Sequence, residues 1–298
     1  MRILVTGATG FIGRTFVPHL VAAGTQVMIL VREHYQPGDQ LPQELASLRS
    51  QFGVVYADLR NYNLTARAVR EAQPEYVVHL AAAGVTNPFL SVETALHHNV
   101  VGTINLLRAC FSLPDAFPPP RQFIIGRTPG EHSAMNVYAA SKAAAWDFCR
   151  MYARTQDWPI QGAVIFQAYG PGQPKHTLIP AAVDAARAGQ EFPMTAGTQE
   201  RDWIHVSDVA AGLAALLHAE LAPGTSIDLG TGQLTSVADV VRMIFELAGR
   251  GGRPLVGALP QRPGEEPRQV ADSGQTHTLI GWRPSIFLKQ GLAMLLAG

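Results

Sequence analysis

Residues 1–24 restrict the fold more than any other stretch of this 298-residue chain. The apolar residues from Ile3 to Val5, with Arg2 and Thr6 at their edges, read as a fully buried strand. That strand runs directly into Gly7-Ala-Thr-Gly10-Phe-Ile-Gly13. A helical pattern of Phe16, Val17, Leu20 and Val21 follows, closed by Gly24. Strand, glycine turn and helix start together make the anion site of a dinucleotide-binding βαβ unit. The helix start offers unpaired N–H groups and the positive end of its dipole to a pyrophosphate. Glycines let the backbone turn sharply and let phosphates approach without a Cβ in the way. The competing reading is a tight strand–helix turn without a ligand; the flanking strand and helix favour the dinucleotide.

Formal net charge is zero, which gives no reason to expect nucleic acid as a partner. No apolar run reaches membrane-spanning length, so no membrane partner is expected either. The only cysteines, Cys110 and Cys149, lie in helical patterns. Buried free thiols in a reduced cytoplasmic setting are expected from that usage. The chain opens on its first strand, and no signal peptide is expected. The ten histidines show no ligand spacing, and no metal is expected.

Short apolar runs alternate with helical patterns through the first half: Ile3–Val5, Gln26–Val31, Gly53–Tyr56, Tyr76–Leu80, Gln122–Ile125 and Ile160–Phe166, with helices such as Asn63–Glu71 and Ala95–Phe111. The alternation predicts an α/β fold, a doubly wound parallel-sheet Rossmann domain. After Tyr169-Gly-Pro-Gly172 the rhythm changes to shorter strands and isolated helices, which predicts a smaller C-terminal substrate lobe. The expected division is 1–164 with about 203–228 for the dinucleotide domain, and 165–202 with 229–298 for the substrate lobe. One helix starts at Ser236, with Asp239 placed to complete a capping box.

Tyr138-Ala-Ala-Ser-Lys142 begins another helical run. An i, i+4 pair shares one helix face, so the phenol and the ammonium address one ligand. A phenol of ordinary pKa near ~10 is a poor acid or base at neutrality. A nearby ammonium and a positive nicotinamide ring are expected to bring that value down. Such a pair alone also arises as a solvated helix face; downstream of a dinucleotide turn it reads as a reaction centre.

With these motifs in order, the chain resembles the extended short-chain dehydrogenase/reductase family of nucleotide-sugar epimerases, dehydratases and 4-ketoreductases. The resemblance rests on Gly7 to Gly13, Asp58-Leu59, His79-Leu-Ala-Ala82, Asn99-Val-Val-Gly-Thr103 and Tyr138 to Lys142. It continues through Tyr169-Gly-Pro-Gly172, Arg201-Asp-Trp-Ile-His-Val-Ser-Asp208 and Leu279-Ile-Gly-Trp-Arg-Pro284. It implies Tyr138 as the catalytic acid/base, Lys142 as the ribose contact that tunes it, and Thr128 as the hydroxyl on the reacting oxygen. Thr128 is also readable as a turn residue before Pro129. Gly7, Thr9, Gly10, Phe11, Ile12 and Gly13 would hold the pyrophosphate. Asp58 and Leu59 would meet the adenine, and Leu80, Ala81 and Ala82 would line the cofactor's path. Asn99 is expected to order backbone. Arg201 and Arg262 would grip the substrate diphosphate through their bidentate forks, with Gln167 beside them; the alternative is a pair of surface arginines. Asp202 and Asp208 are expected to fix loops. A homodimer is implied by the resemblance alone.

Three departures refine the implied function. Only nine residues separate Thr128 from Tyr138. The dehydratases' Asp-Glu after the threonine is replaced by Pro129-Gly130, with Glu131 one step late, which disfavours 4,6-dehydration. Val164 and Gln167 stand where the family often has Arg and Asn. At the end of the second strand, Val31-Arg32 replaces the acidic residue of NAD users. Arg32 favours NADP, while Glu33 keeps NAD possible. The expected function is therefore that of an NADP(H)-dependent oxidoreductase or epimerase acting at C4 of a nucleotide-diphosphate sugar, with 4-keto reduction foremost. An NAD-dependent 4-epimerase, an NADP(H)-sensing binding protein and a reductase of an uncharged ketone are the alternatives.

Overall fold

A computed structural model describes residues 1–32, 41–87, 90–113, 117–261 and 264–297. Seven strands share one sheet: β1 (Arg2–Thr6), β2 (Gln26–Val31), β3 (Phe52–Tyr56), β4 (Tyr76–His79), β5 (Gln122–Arg127), β6 (Ile160–Ile165) and β7 (Ser226–Leu229). Their order is β7-β6-β5-β4-β1-β2-β3, and every pairing from β6 to β3 is parallel. The expected Rossmann-type α/β fold is thus present. The winding direction reverses between β1 and β4, and sheets of this kind take ligands at the carboxyl ends of the strands beside such a reversal. Ile3, Leu4 and Val5 are fully buried, as a parallel strand covered on both faces requires.

The chain divides into two compact units, Met1–Val164 with Leu213–Ile227, and Ile165–Gly212 with Asp228–Gly298. In the first, Leu4, Val77, Phe123 and Ile125 of the sheet pack with Leu106, Leu107 and Trp146 of the covering helices. Tyr152 and Phe111 stack on Trp158 with ring centroids 4.4 and 4.9 Å apart. Cys110 and Cys149 are buried free thiols. The run expected as one helix from Ala95 to Phe111 is instead three pieces: an α-turn (Val92–Ala95), a π-helical stretch (Leu96–Val101) and an α-helix (Gly102–Phe111). The widened stretch contains Asn99, whose side chain is bonded outside its own helix.

In the second unit, the strand Glu200–His205 pairs with Gln167–Tyr169, Leu234–Ser236 and Arg268–Gln269. Helices Leu178–Arg187, Val237–Ala248 and Leu288–Ala297 close over Tyr169 and Trp203. Ser236 caps its helix by accepting the Asp239 N–H at 3.0 Å. The Asp239 carboxylate takes the Ser236 hydroxyl and Arg242 instead of completing the box, because Arg242 lies one turn along. Asp202 accepts N–H groups from Thr231, Gly232 and Ala271, and Asp208 those of Ser285 and Ile286; both fix loops. Among the described residues, no helix is long and apolar enough to cross a membrane, and no three His, Cys, Asp or Glu side chains could hold a metal.

Candidate active site

The glycine turn is built by exclusion of side chains. Gly7 sits at φ +72°, and a Cβ there would lie 2.5 Å from the Ala81 nitrogen. A Cβ on Gly13 would overlap the Gly7 carbonyl oxygen and the Ala8 backbone. Gly10 donates to the Gly7 oxygen at 3.0 Å and caps the helix Phe11–Ala22 without a side-chain bond. That helix has no acidic residue in its first turn, so its first N–H groups face outward unblocked. Thr9, Phe11 and Ile12 are partly exposed around them. This cradle fits an anion such as a pyrophosphate.

Beneath the turn runs a buried relay that the spacing of motifs does not disclose. Thr103 Oγ1 donates to the Asn99 carbonyl at 2.6 Å, which leaves it to accept from His79 Nε2 at 3.0 Å. The other ring nitrogen, Nδ1, then accepts from Thr6 Oγ1 at 2.7 Å, and Thr6 Oγ1 accepts the Ala81 N–H at 3.3 Å. Only one set of proton positions satisfies every member. Burial, reinforced by the Lys142 charge, pushes the His79 pKa down to about 3, so the ring is neutral. The relay fixes Ala81, and with it the Leu80–Ala82 segment that the Gly7 turn touches. The usable signal in the sequence is the histidine ending an otherwise apolar strand.

From that segment the structure leads to Tyr138. A Cβ on Gly84 would sit 3.4 Å from the Tyr138 Cβ. Asn99 accepts the Ala83 N–H at 2.8 Å and donates to the Ala83 carbonyl at 2.9 Å and to Ser141 Oγ at 2.8 Å. Ser141 Oγ donates to the Tyr138 carbonyl at 2.7 Å. Asn99 therefore ties the Ala81–Gly84 segment to the helix Val137–Gln156, whose start Asn136 caps by accepting the Ala139 N–H.

Lys142 is 3 % exposed. Among the described residues, neither its ammonium nor the Tyr138 hydroxyl forms a hydrogen bond. Burial pushes the Tyr138 phenol above its ordinary value, and the Glu131 carboxylate pushes it further. In the chain without cofactor the phenol therefore stands above its ordinary value; the expected lowering concerns the site with a positive nicotinamide bound. Burial also lowers the Lys142 pKa, opposed by Glu131. Thr128 follows β5 and closes a capping box with Glu131, whose Oε1 accepts the Thr128 N–H at 3.0 Å. Glu131 Oε2 is paired with Arg127 at 2.7 Å.

Arg32 is exposed at the end of β2, and Glu33 lies outside the described residues. The Arg60 guanidinium beside Asp58 holds its carboxyl below the usual range. Asn105 Nδ2 donates to the carbonyls of Leu59 and Arg60, at 2.8 and 3.2 Å. His98 is held low first by burial, then by the charges of Arg60 and Arg32, partly offset by Asp58.

In the second unit, Arg201 is 5 % exposed, and its guanidinium donates to the Glu200 carbonyl at 2.9 Å and to Glu265 Oε1 at 3.3 Å. Gln199 donates to that same carboxylate oxygen at 3.0 Å. Glu265 was not anticipated as the partner of Arg201. Gln167 is exposed on the strand Gln167–Tyr169. Arg262 lies outside the described residues.

Comparison with known proteins extends this geometry. The sequence model of the NAD dependent epimerase/dehydratase family matches residues 3–230. A dTDP-glucose 4,6-dehydratase of Xanthomonas campestris pv. campestris is 28% identical, covering 98% of this chain and 91% of its own. A UDP-glucose 4-epimerase of Mycolicibacterium smegmatis is 27% identical, over 98% of this chain and 96% of its own. The solved structure of a Thermus thermophilus UDP-glucose 4-epimerase in complex with NAD aligns at TM-score 0.83 and 26% identity, covering 100% of this chain and 98% of that one.

Proposed function

Because the chain belongs to the NAD dependent epimerase/dehydratase family, an enzyme family of the extended short-chain dehydrogenase/reductase type, we propose that it exchanges hydride at C4 of a nucleotide-diphosphate sugar. The observation that carries this reading is the Tyr138 and Lys142 pair, whose polar heads form no hydrogen bond among the described residues and which follows from the Gly7 turn through the Leu80–Gly84 segment that packs against both. An ammonium on a largely buried side chain, with no acceptor of its own, gains from the acceptors that a ligand supplies.

The residues present fit a nicotinamide dinucleotide. Gly7, Thr9, Gly10, Phe11, Ile12 and Gly13 would hold the pyrophosphate, Asp58 and Leu59 the adenine, Leu80 to Ala82 the middle of the cofactor, and Lys142 the ribose. When bound, the nicotinamide supplies the hydride. Tyr138 exchanges a proton with the C4 oxygen, Thr128 donates to that oxygen, and Lys142 offsets charge on the phenolate. Arg201 and Arg262 would take the diphosphate, with Gln167 beside them.

Ketone reduction with NADPH is the specific reaction proposed. Arg32 supports NADP: it is exposed at the end of β2, close enough to Arg60 for both charges to act on His98. Dehydration is set aside because both Glu131 oxygens are engaged, by Thr128 and by Arg127. A 4-epimerase that retains NAD is the second reading, favoured by the similarity to UDP-glucose 4-epimerases. A second copy of the chain is the proposed partner, supported by exposed Val92, Leu96, Val101 and Phe148 on adjacent helical stretches. A cytoplasmic setting is proposed from the buried free thiols.

One experiment tests the reading. The cofactor released on denaturation is identified, and UDP- and dTDP-sugars and their 4-keto forms are offered with NADPH, NADH, NADP+ and NAD+. Turnover of a 4-keto sugar with NADPH, and loss of the NADPH preference in Arg32→Ala, are expected. Stoichiometric NAD+ release with interconversion of 4-epimers supports the second reading. Binding of cofactor with no turnover of any sugar would leave a sensing protein.

A further inference from the structure

The short Thr128–Glu131 turn carries a pair of charges that the proposed reaction does not use. Arg127 and Glu131 have side chains 12% and 3% exposed. Arg127 Nε and Nη2 both reach Glu131 Oε2, at 2.8 and 2.7 Å, while Nη1 donates to Ser226 Oγ at 3.0 Å. The Arg127 guanidinium carbon lies 4.4 Å from the Trp146 ring centroid. Space for the arginine comes from Gly162 in β6, where a Cβ would stand 2.8 Å from Arg127 Cδ. A salt link, a hydroxyl, an aromatic face and a missing side chain therefore all hold Arg127 in one place.

What Arg127 holds in turn is Glu131, whose second oxygen accepts the Thr128 N–H at 3.0 Å. The carboxylate thus grips the main chain of the residue proposed to touch the reacting oxygen. We propose that the buried Arg127–Glu131 pair is a positioning device for the reaction centre: Glu131 fixes the Thr128 main chain and supplies the negative charge that Tyr138 and Lys142 face, and Arg127 keeps Glu131 in that place. The inference rests on the proposed roles of Thr128, Tyr138 and Lys142.

Burial alone does not explain the pair, since a buried ion pair is often replaced by apolar residues at no loss of stability. Its placement does. The charged or titratable groups facing Tyr138 and Lys142 are Glu131 on the turn, Arg127 on β5, His79 on β4 and Cys149 on their own helix. His79 and Cys149 are held neutral by burial. Glu131 is the anion of the set. It raises the phenol and opposes the loss of charge on Lys142, whereas Arg127 acts on Lys142 in the opposite sense. Glu131 thus favours a Tyr138 that holds its proton and a Lys142 that keeps its charge, the state needed by an acid about to protonate a reduced ketone.

The test is the titration of Tyr138 itself, read from the ultraviolet phenolate band of NADP+-loaded protein as the difference from Tyr138→Phe. The double variant Arg127→Met with Glu131→Gln removes both charges and keeps an amide oxygen for the Thr128 N–H. Its Tyr138 midpoint is expected to fall by about one pH unit, the short-range effect in a partly screened site of Glu131, the charge of the pair that acts on the phenol. NADP+ affinity should be unchanged. Glu131→Asp keeps the charge but withdraws it from Thr128, and is expected to hold the midpoint while lowering kcat at least ~10-fold, as a displaced reacting group does. An unmoved midpoint in a folded, NADP+-binding double variant overturns the proposal, and so does full kcat in Glu131→Asp. Should the double variant fail to fold, the Glu131→Asp kcat decides alone. Failure of the underlying reading shows separately, as turnover that survives in Tyr138→Phe.

Discussion

The proposed reaction centre in the first unit and the proposed anion-binding arginine in the second are prepared for ligand in opposite ways. The polar heads of Tyr138 and Lys142 form no hydrogen bond among the described residues, and the main chain around them is tied down: Thr128 by Glu131, the Ala81–Gly84 segment by the His79 relay and Asn99. Arg201 is equally buried but already engaged by Glu265 and the Glu200 carbonyl. Filling the first site breaks no protein hydrogen bond. Filling the second means sharing or displacing a carboxylate. The first arrangement suits chemistry, where reacting groups must not reorganise. The second suits selection, since only an anion stronger than one carboxylate gains from the exchange.

The largest expected effect concerns the relay that makes the first region rigid. His79 is neutral in the folded protein, with its pKa near 3, and ordinary near 6.5 when unfolded. Between those values the unfolded chain binds the extra proton, so stability is lost as pH falls from about 6.5 toward 3. The full window is worth on the order of 4–5 kcal/mol. Thermal unfolding measured across that range should show the loss, and His79→Gln should flatten the slope. An equally steep slope in that variant would show that other groups hold the region.

A smaller effect is expected at Arg201. Arg201→Ala should raise the KM for a nucleotide sugar by roughly 10- to 100-fold, the worth of hydrogen bonds to a charged group, with kcat nearly unchanged. Glu265→Gln should take from the buried guanidinium its bonded carboxylate, leaving Glu266 as the counter-charge, and lower the melting temperature. If Arg201→Ala instead depresses kcat at unchanged KM, the contrast drawn between the two regions fails.

The same contrast governs how much the sequence reveals. The Gly7–Gly13 cradle and the Tyr138–Lys142 face are legible because each is contained within one strand–turn–helix or one helical turn, where spacing dictates geometry. The Thr6–His79 bond joins residues 73 apart and depends on the β1–β4 register, in which Thr6 stands opposite His79. Arg201 and Glu265 are 64 apart, and their meeting depends on the pairing of Arg268–Gln269 with Glu200 and Arg201. Even the short Arg127–Glu131 link stays hidden, because Thr128-Pro-Gly reads as an ordinary turn until β5 and Gly162 orient the arginine. The rise of the phenol in the chain without cofactor stays hidden for a related reason. Spacing shows the nearby lysine, whereas burial and the Glu131 charge act on the phenol only when the chain is folded.

The most direct measurement is the turnover of Tyr138→Phe with NADPH and a nucleotide 4-keto sugar, alongside its NADPH affinity. A fall in kcat of about 10²- to 10⁴-fold is expected, the usual worth of a general acid, with NADPH bound as in the parent protein. Turnover equal to that of the parent would contradict the account at its centre.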